Sequence, residues 1–173
     1  MAIRKIQTYN APCLYQVCRP VEKFDKKLGA LVDDLFDTMY DAEGVGLAAP
    51  QIGILRRIAV VDCGEGPIEL INPEVISTSG TQGCFEACLS FPGENGYVER
   101  PNVATVRAYD RKGDLYEYTG EELLARALLH EIDHLDGLVY KRLITDPPEG
   151  YTEDGDEDET DDVAQESGGE EEQ

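Results

Sequence analysis

Between Phe24 and Glu43, apolar residues recur at Leu28, Leu31, Val32, Leu35 and Met39, the spacing of an amphipathic helix that Asp25 can cap and Gly44 can end. The segment GVGLAAPQIG, 44–53, follows as a glycine-bounded loop of small residues. Two strands are then expected in RRIAVVDC and PIELINPEVIS, parted by a turn near Gly64 to Pro67. NVATVRAYD and DLYEY flank RKG as a further hairpin, with Val103, Thr105 and Arg107 alternating against Ala104, Val106 and Ala108. A last helix is expected over Thr119 to Gly137. Thr119 and Glu122 have the form of a capping box, and Gly137 stands where a C-cap belongs. On this helix Leu124, Leu128, Ile132 and Leu135 form an apolar back opposite His130, while Leu123 and Ala127 project within about 60° of His130. With one apolar side and one side carrying chemistry, it should be central and packed on both faces. The order of elements predicts an α+β fold, with antiparallel β-sheets packed around that helix.

Charge divides the chain. Of the formal −21, Asp146 to Gln173 holds 14 Asp and Glu with no Lys or Arg; subtracting those 14 leaves −7 for the rest. Residues 1–145 are therefore read as one domain, and 146–173 as an acidic disordered tail with too little apolar surface, from Pro147 onward, to offset ordering. The acidic balance argues against recognition of a nucleic-acid backbone. The opening MAIRKIQTYNAP turns polar before any apolar core of a signal peptide develops, and no stretch could span a bilayer. Five cysteines without regular spacing fit a reducing cytoplasm better than a disulfide framework. Cys13, Cys18 and Cys63 read as buried small hydrophobes. Cys84 and Cys88 would lie roughly 13 Å apart on an extended segment, beyond bridging distance.

The chemistry centres on HEIDH, His130 to His134. Histidines four apart on a helix share a face and offer two ligands to a metal, and Glu131 between them can reach a water rather than the ion and act as general base. Catalytic sites usually take three protein ligands, yet these are the only two histidines in the chain. Candidates for the third are the carboxylates and the five cysteines. In zinc endopeptidases whose motif extends through Gly-x-x-His, a third histidine follows the glycine by three residues. Here Gly137 is followed at that position by Tyr140.

GVGLAAPQIG, FEACLSFPG (85–93) and LLHEIDHLDG (128–137) together resemble the three motifs of the peptide deformylase family, in the same order and with similar spacing, and the likeness runs to about Leu143. The resemblance implies Cys88 as third ligand beside His130 and His134, with Glu131 as base and later proton donor. It implies oxyanion stabilisation by the Gln51 amide and the Leu89 backbone N–H, and pairing of an extended substrate with Gly46. Val45, Leu123 and Ala127 would line a methionine pocket, with Glu43, Glu86 and Arg100 also on the substrate side. The implied reaction removes formyl from the N-terminal formylmethionine of new proteins, releasing formate. The implied cofactor is one divalent ion, Fe(II) in the cell, on a ligand set that also accepts Zn(II), Ni(II) or Co(II). Partners are formyl-Met nascent chains and, through them, the ribosome, although an acidic tail stands where some relatives carry a basic docking helix.

The chain departs from the commonest pattern at three positions. Ala87 replaces a glycine, so its φ is expected to be negative or strained. Leu129 replaces a glutamine. Arg126, about 40° from His130 on the metal face, replaces an apolar pocket residue; it either contacts substrate or lies exposed on the rim. Two other functions compete with a deformylase. A metallopeptidase would not need Cys88, and a non-catalytic binding protein would have no use for Glu131 and Gln51.

Overall fold

A computed structural model describes residues 2–152, which form α1 (Lys26–Asp41), β1 (Gly46–Ala48), β2 (Ile58–Val61), β3 (Ile68–Ser79), β4 (Gln82–Ala87), β5 (Asn95–Arg100), β6 (Val103–Tyr109), β7 (Leu115–Glu121) and α2 (Glu122–Leu135). Short 3-10 turns cover Pro12–Tyr15, Ala49–Ile52 and Tyr140–Leu143. All strand pairing is antiparallel: one sheet has the order β1-β2-β3-β6-β7, and β4 and β5 form a separate hairpin.

β2 explains how the layers assemble. Its four residues are all buried, because successive side chains point to opposite faces and each face meets a helix. Ala59 and Val61 join Leu70, Val106 and Ala108 in packing against Ala127, Leu128, Ile132 and Leu135 of α2. Ile58 and Val60 join Leu47 and Ile71 in packing against Leu28, Val32, Leu35 and Met39 of α1. β1, β2 and the start of β3 are thus buried between two helices, while the far half of β3 and most of β7 are exposed, and α2 is held against the sheet as its apolar back predicts. A third apolar cluster of Leu14, Phe91, Val98 and Tyr140 packs around Cys88.

The expected α+β architecture is present, with local differences. Asp25 caps α1 as expected, accepting from Leu28 N at 3.0 Å, but the helix spans 26–41, and Phe24 turns back to pack on Tyr109. The loop expected over 44–53 contains β1 and a 3-10 turn, since backbone pairing with β2 orders it. Thr119 is not a helix cap: it lies in β7 opposite Thr105, their hydroxyls 2.9 Å apart, and pairing with β6 holds the strand to Glu121. α2 starts abruptly after it, with Glu122 at φ +50° and its N–H donated to Asn102 O. Ala87 is not among the residues with positive φ, so no glycine is required there. Cys18 is buried as expected, whereas Cys13 and Cys63 are only partly so.

The described part reaches into the expected tail as far as Thr152. Tyr151 packs edge-on against Tyr97 at 4.9 Å and at a tilt against Phe85 at 5.9 Å, and its hydroxyl donates to Gly83 O at 3.3 Å. Together with the Ile144–Val98 bridge and the Thr145 N–H donated to Tyr97 O at 2.9 Å, this aromatic side chain holds the segment up to 151 on the β4–β5 hairpin. Residues 153–173 lie outside the described part.

Asp34 ties the N-terminal segment to α1. It accepts from Ala2 N at 2.6 Å and from Arg4 Nε and the terminal guanidinium nitrogen at 2.8 and 2.6 Å. Burial opposes its ionisation, but the Arg4 and Ala2 hydrogen bonds outweigh that and lower its pKa. A lowered folded-state pKa stabilises at pH values above the unfolded-state value and is lost as pH falls through the folded one. Asp34→Asn is therefore expected to cost about 1 kcal/mol at pH 7, the partly exposed Arg4 keeping the figure modest. The deficit should begin to shrink below about pH 4, where the carboxylate of the unfolded chain protonates first, and vanish as pH falls through the lowered folded-state value. Urea unfolding of both proteins at pH 7 and pH 3.5 measures this, and a deficit independent of pH would contradict it.

Candidate metal and active site

α2 carries His130 and His134 one turn apart on the face turned away from the core, and β4 delivers Cys88 just beyond its last residue. Cys88 Sγ lies 3.3 Å from His134 Nε2, and the two Nε2 atoms are 3.2 Å apart. The three donor atoms all fall within 4.8 Å of one another, and all three residues are buried. A tetrahedral ion with ordinary Zn–N and Zn–S bonds holds such donors roughly 3.3–3.6 Å apart, so the cluster has the size and donor chemistry of a Cys-His-His metal site. Burial pushes His134 toward its neutral form, the one that ligates.

A network beneath the site orients His130. Glu86 Oε1 is 2.5 Å from His130 Nδ1, which turns Nε2 toward the cluster. Glu86 is itself gripped by Arg100 at 2.8 and 2.7 Å and by Arg126 at 2.6 Å. Its burial disfavours the charge, but Arg100 and His130 outweigh this and hold the carboxyl well below the usual range. Arg100 also pairs with Asp133 at 3.0 Å, and Asp133 with Arg142. Tyr140, which occupies the place of a third histidine in the endopeptidase pattern, is fully buried and stacks on the His130 ring at 6.0 Å.

Gln51 and Glu131 complete the centre. The Gln51 carbonyl accepts from Ala48 N at 2.9 Å, which points its amide nitrogen at Ser90 Oγ, 3.1 Å away, and at Cys88 Sγ, 3.5 Å away. Glu131 is buried, and its Oε2 has no hydrogen-bond partner among the described residues. Burial pushes its carboxyl up to about 7, and a cation on the adjacent ligands would act in the opposite direction. Gly46 is required by this carboxylate: a Cβ at 46 would collide with it.

A cleft of about 440 Å³ opens over these groups. Gln51, Cys88, Leu89, His130, Glu131 and Gly46 all line it, together with Glu43, Val45, Glu86, Leu123, Arg126 and Ala127. Along it runs β1, an edge strand hydrogen-bonded only to β2 among the described strands. Two expectations change. Arg100 does not line the cleft, since Glu86 and Asp133 hold its guanidinium beneath the site. Arg126 is not a rim residue: it is 5% exposed, because its charge is met by Glu86 inside the protein. Ser90, Asp133 and the Glu86–His130 contact escaped the sequence reading. Glu86 was legible only as a cleft residue, as nothing in its neighbours signals a histidine 44 positions away.

Comparison with known proteins bears on the same residues. The polypeptide deformylase family model matches residues 3–147. A peptide deformylase of Alkaliphilus metalliredigens (strain QYMF) is 54% identical over 140 residues, covering 81% of this chain and 95% of that protein. The crystal structure of a peptide deformylase from Legionella pneumophila superposes with a TM-score of 0.81 at 46% identity, covering 83% of this chain and 87% of that one. For the peptide deformylase from Thermotoga maritima the values are 0.82 and 37%, with 84% and 100% covered. Among the described residues no helix is long and apolar enough to cross a membrane. Sequence, fold and the convergence of all three motifs on one cleft agree, and the chain belongs to the polypeptide deformylase family.

Proposed function

We propose that residues 1–145 form a catalytic domain that hydrolyses the formyl amide of N-terminal formylmethionine in newly made proteins, yielding formate and a free amino terminus. The observation that carries this reading is the convergence of three metal-ligating atoms with the unpartnered Glu131 Oε2 and the Gln51 amide at the floor of a cleft flanked by a sheet edge.

Cys88, His130 and His134 would hold the metal. A divalent ion so bound supplies Lewis acidity and lowers the pKa of water. Glu131 accepts the proton of the attacking water as the new C–O bond forms. The Gln51 amide and the Leu89 backbone N–H stabilise the negative oxygen that develops on the former carbonyl. Glu131 then returns its proton to the amide nitrogen as the C–N bond breaks, so every atom of the water is accounted for in formate and amine. Gly46, with the backbone of β1, pairs with the extended peptide as an added strand. Val45, Leu123 and Ala127 receive the methionine side chain, and Glu43 lies at the cleft's edge. Glu86 and Arg100 act beneath the substrate by orienting His130.

A thiolate with two imidazoles accepts Fe(II), Zn(II), Ni(II) or Co(II). Fe(II), which the family resemblance implies, is the proposed ion in the cell. The proposed setting is the cytoplasm, where formyl-Met nascent chains are met. An acidic C-terminal segment repels RNA, so contact with a ribosome would use another surface.

Protein purified without oxygen, stripped with chelator and reloaded with Fe(II), tests the reading with a formyl-Met tripeptide. Reloaded protein is expected to release formate and the stripped protein none, with internal peptide bonds untouched by either. Cleavage of internal bonds would favour the metallopeptidase alternative.

A further inference from the structure

The two proposed oxyanion donors come from separate turns of the chain. Gln51 lies in the 3-10 turn Ala49–Ile52, and Leu89 in a turn that Phe91 N–H closes by donating to Cys88 O at 2.9 Å. Ser90 belongs to the second turn and is fully buried. Its Oγ lies 3.1 Å from Gln51 Nε2, so one hydroxyl links the two turns across 39 residues of sequence. At the other end of the same amide, Ala48 N–H donates to Gln51 Oε1 at 2.9 Å, which settles which end is nitrogen. A primary amide has two N–H groups. Ser90 Oγ takes one, and the nitrogen's other neighbour is Cys88 Sγ at 3.5 Å, in the metal cluster.

The backbone repeats the link. Gln7 N–H donates to Gln51 O at 2.7 Å and Tyr9 N–H to Ser90 O at 3.0 Å, so residues 7–9 strap the two turns together. Tyr9 sits at φ +51°, a sparsely populated region for a residue other than glycine. It is held there by its hydroxyl's bond to Pro92 O, by the Tyr15 hydroxyl on its own carbonyl and by edge-on contact with Phe91. A donor fixed in advance stabilises developing charge without reorganising during the reaction. From this doubled link we infer that Ser90 is a positioning residue: its hydroxyl occupies one Gln51 N–H and holds the amide plane, so that the other N–H and the Leu89 N–H face the same oxygen. This inference rests on the proposed deformylase reaction and adds to it the residue that sets the geometry of its oxyanion site.

The test compares formate release from formyl-Met-Ala-Ser by the metal-loaded full chain, Ser90→Ala, Gln51→Ala and the double variant, with each rate taken per bound metal. Gln51→Ala is expected to lower kcat about 10²–10³-fold, the effect of losing one oxyanion donor. Ser90→Ala is expected to lower kcat by about three- to tenfold, the range of one neutral hydrogen bond, with KM unchanged, because the donor it aims is used only in the transition state. In the Gln51→Ala background the same exchange is expected to change kcat by less than about twofold, since the group it positions is gone. A general loosening of the buried turn would lower kcat by the same factor in both backgrounds, and that result would overturn the inference. A Ser90→Ala kcat equal to the parent's, or a loss carried by KM, would overturn it as well. An unchanged kcat in Gln51→Ala, or no formate from the parent, would instead overturn the reading of the site, and this inference with it.

Discussion

Glu131→Gln protein is expected to release formate from a formyl-Met peptide about 10²–10⁴-fold more slowly than the parent while binding the same amount of metal. The exchange is isosteric, and the carboxylate is not among the residues that supply ligand atoms to the metal cluster. What is lost is the only function its surroundings leave it. Oε2 is buried with no hydrogen-bond partner among the described residues, and its burial outweighs the favourable charges of His130 and Arg100. A carboxylate kept in that condition costs stability, so the glutamine variant should be at least as resistant to urea as the parent. Three readouts separate the roles: formate release, metal content and unfolding midpoint. A variant retaining more than about a tenth of parental activity with full metal would remove Glu131 from the proton path.

Cys88→Ser is the second large effect. Serine nearly preserves the volume but replaces a thiolate with a hydroxyl that is protonated at neutral pH and a far poorer ligand for the metals that suit this site. Loss of a residue that merely orients a ligand typically costs 10–100-fold in metal affinity, so loss of the ligand itself is expected to exceed about 100-fold. Dialysis against chelator followed by metal analysis should find the parent loaded and the variant depleted, with formate release falling in proportion. The same experiment discriminates between functions, because a site of histidine and carboxylate ligands would keep its metal without Cys88. His130→Ala and His134→Ala should behave like Cys88→Ser, whereas Glu131→Gln should not, and that contrast divides ligands from base.

Legibility in the sequence followed the range of the interactions. The α1 stripe, its Asp25 cap, the β6–β7 hairpin and the apolar back of α2 are set by neighbours within a turn or across a tight loop, so local periodicity reveals them. At Thr119 the capping-box pattern is a local signal that pairing with β6 overrides, so α2 starts later than the pattern suggests. The three residues of β1 carry no periodicity and look like loop in the sequence; only β2 makes them a strand. Tyr151 is one aromatic in a polar run, and its packing depends on a hairpin more than fifty residues earlier.

The sequence by itself determined which side chains can do chemistry: two histidines at helical spacing, a glutamate between them, and motifs whose resemblance nominated Cys88 and Gln51. Tertiary structure alone decided how they are held. Glu86 became the partner of His130, Arg100 went beneath the site, and Arg126 was drawn inward by the same carboxylate. Gly46 proved indispensable because a carboxylate from α2 presses against it. The reason is physical: a covalent neighbourhood dictates backbone periodicity and donor type, whereas charge pairing in a buried site depends on which distant segments the core brings together.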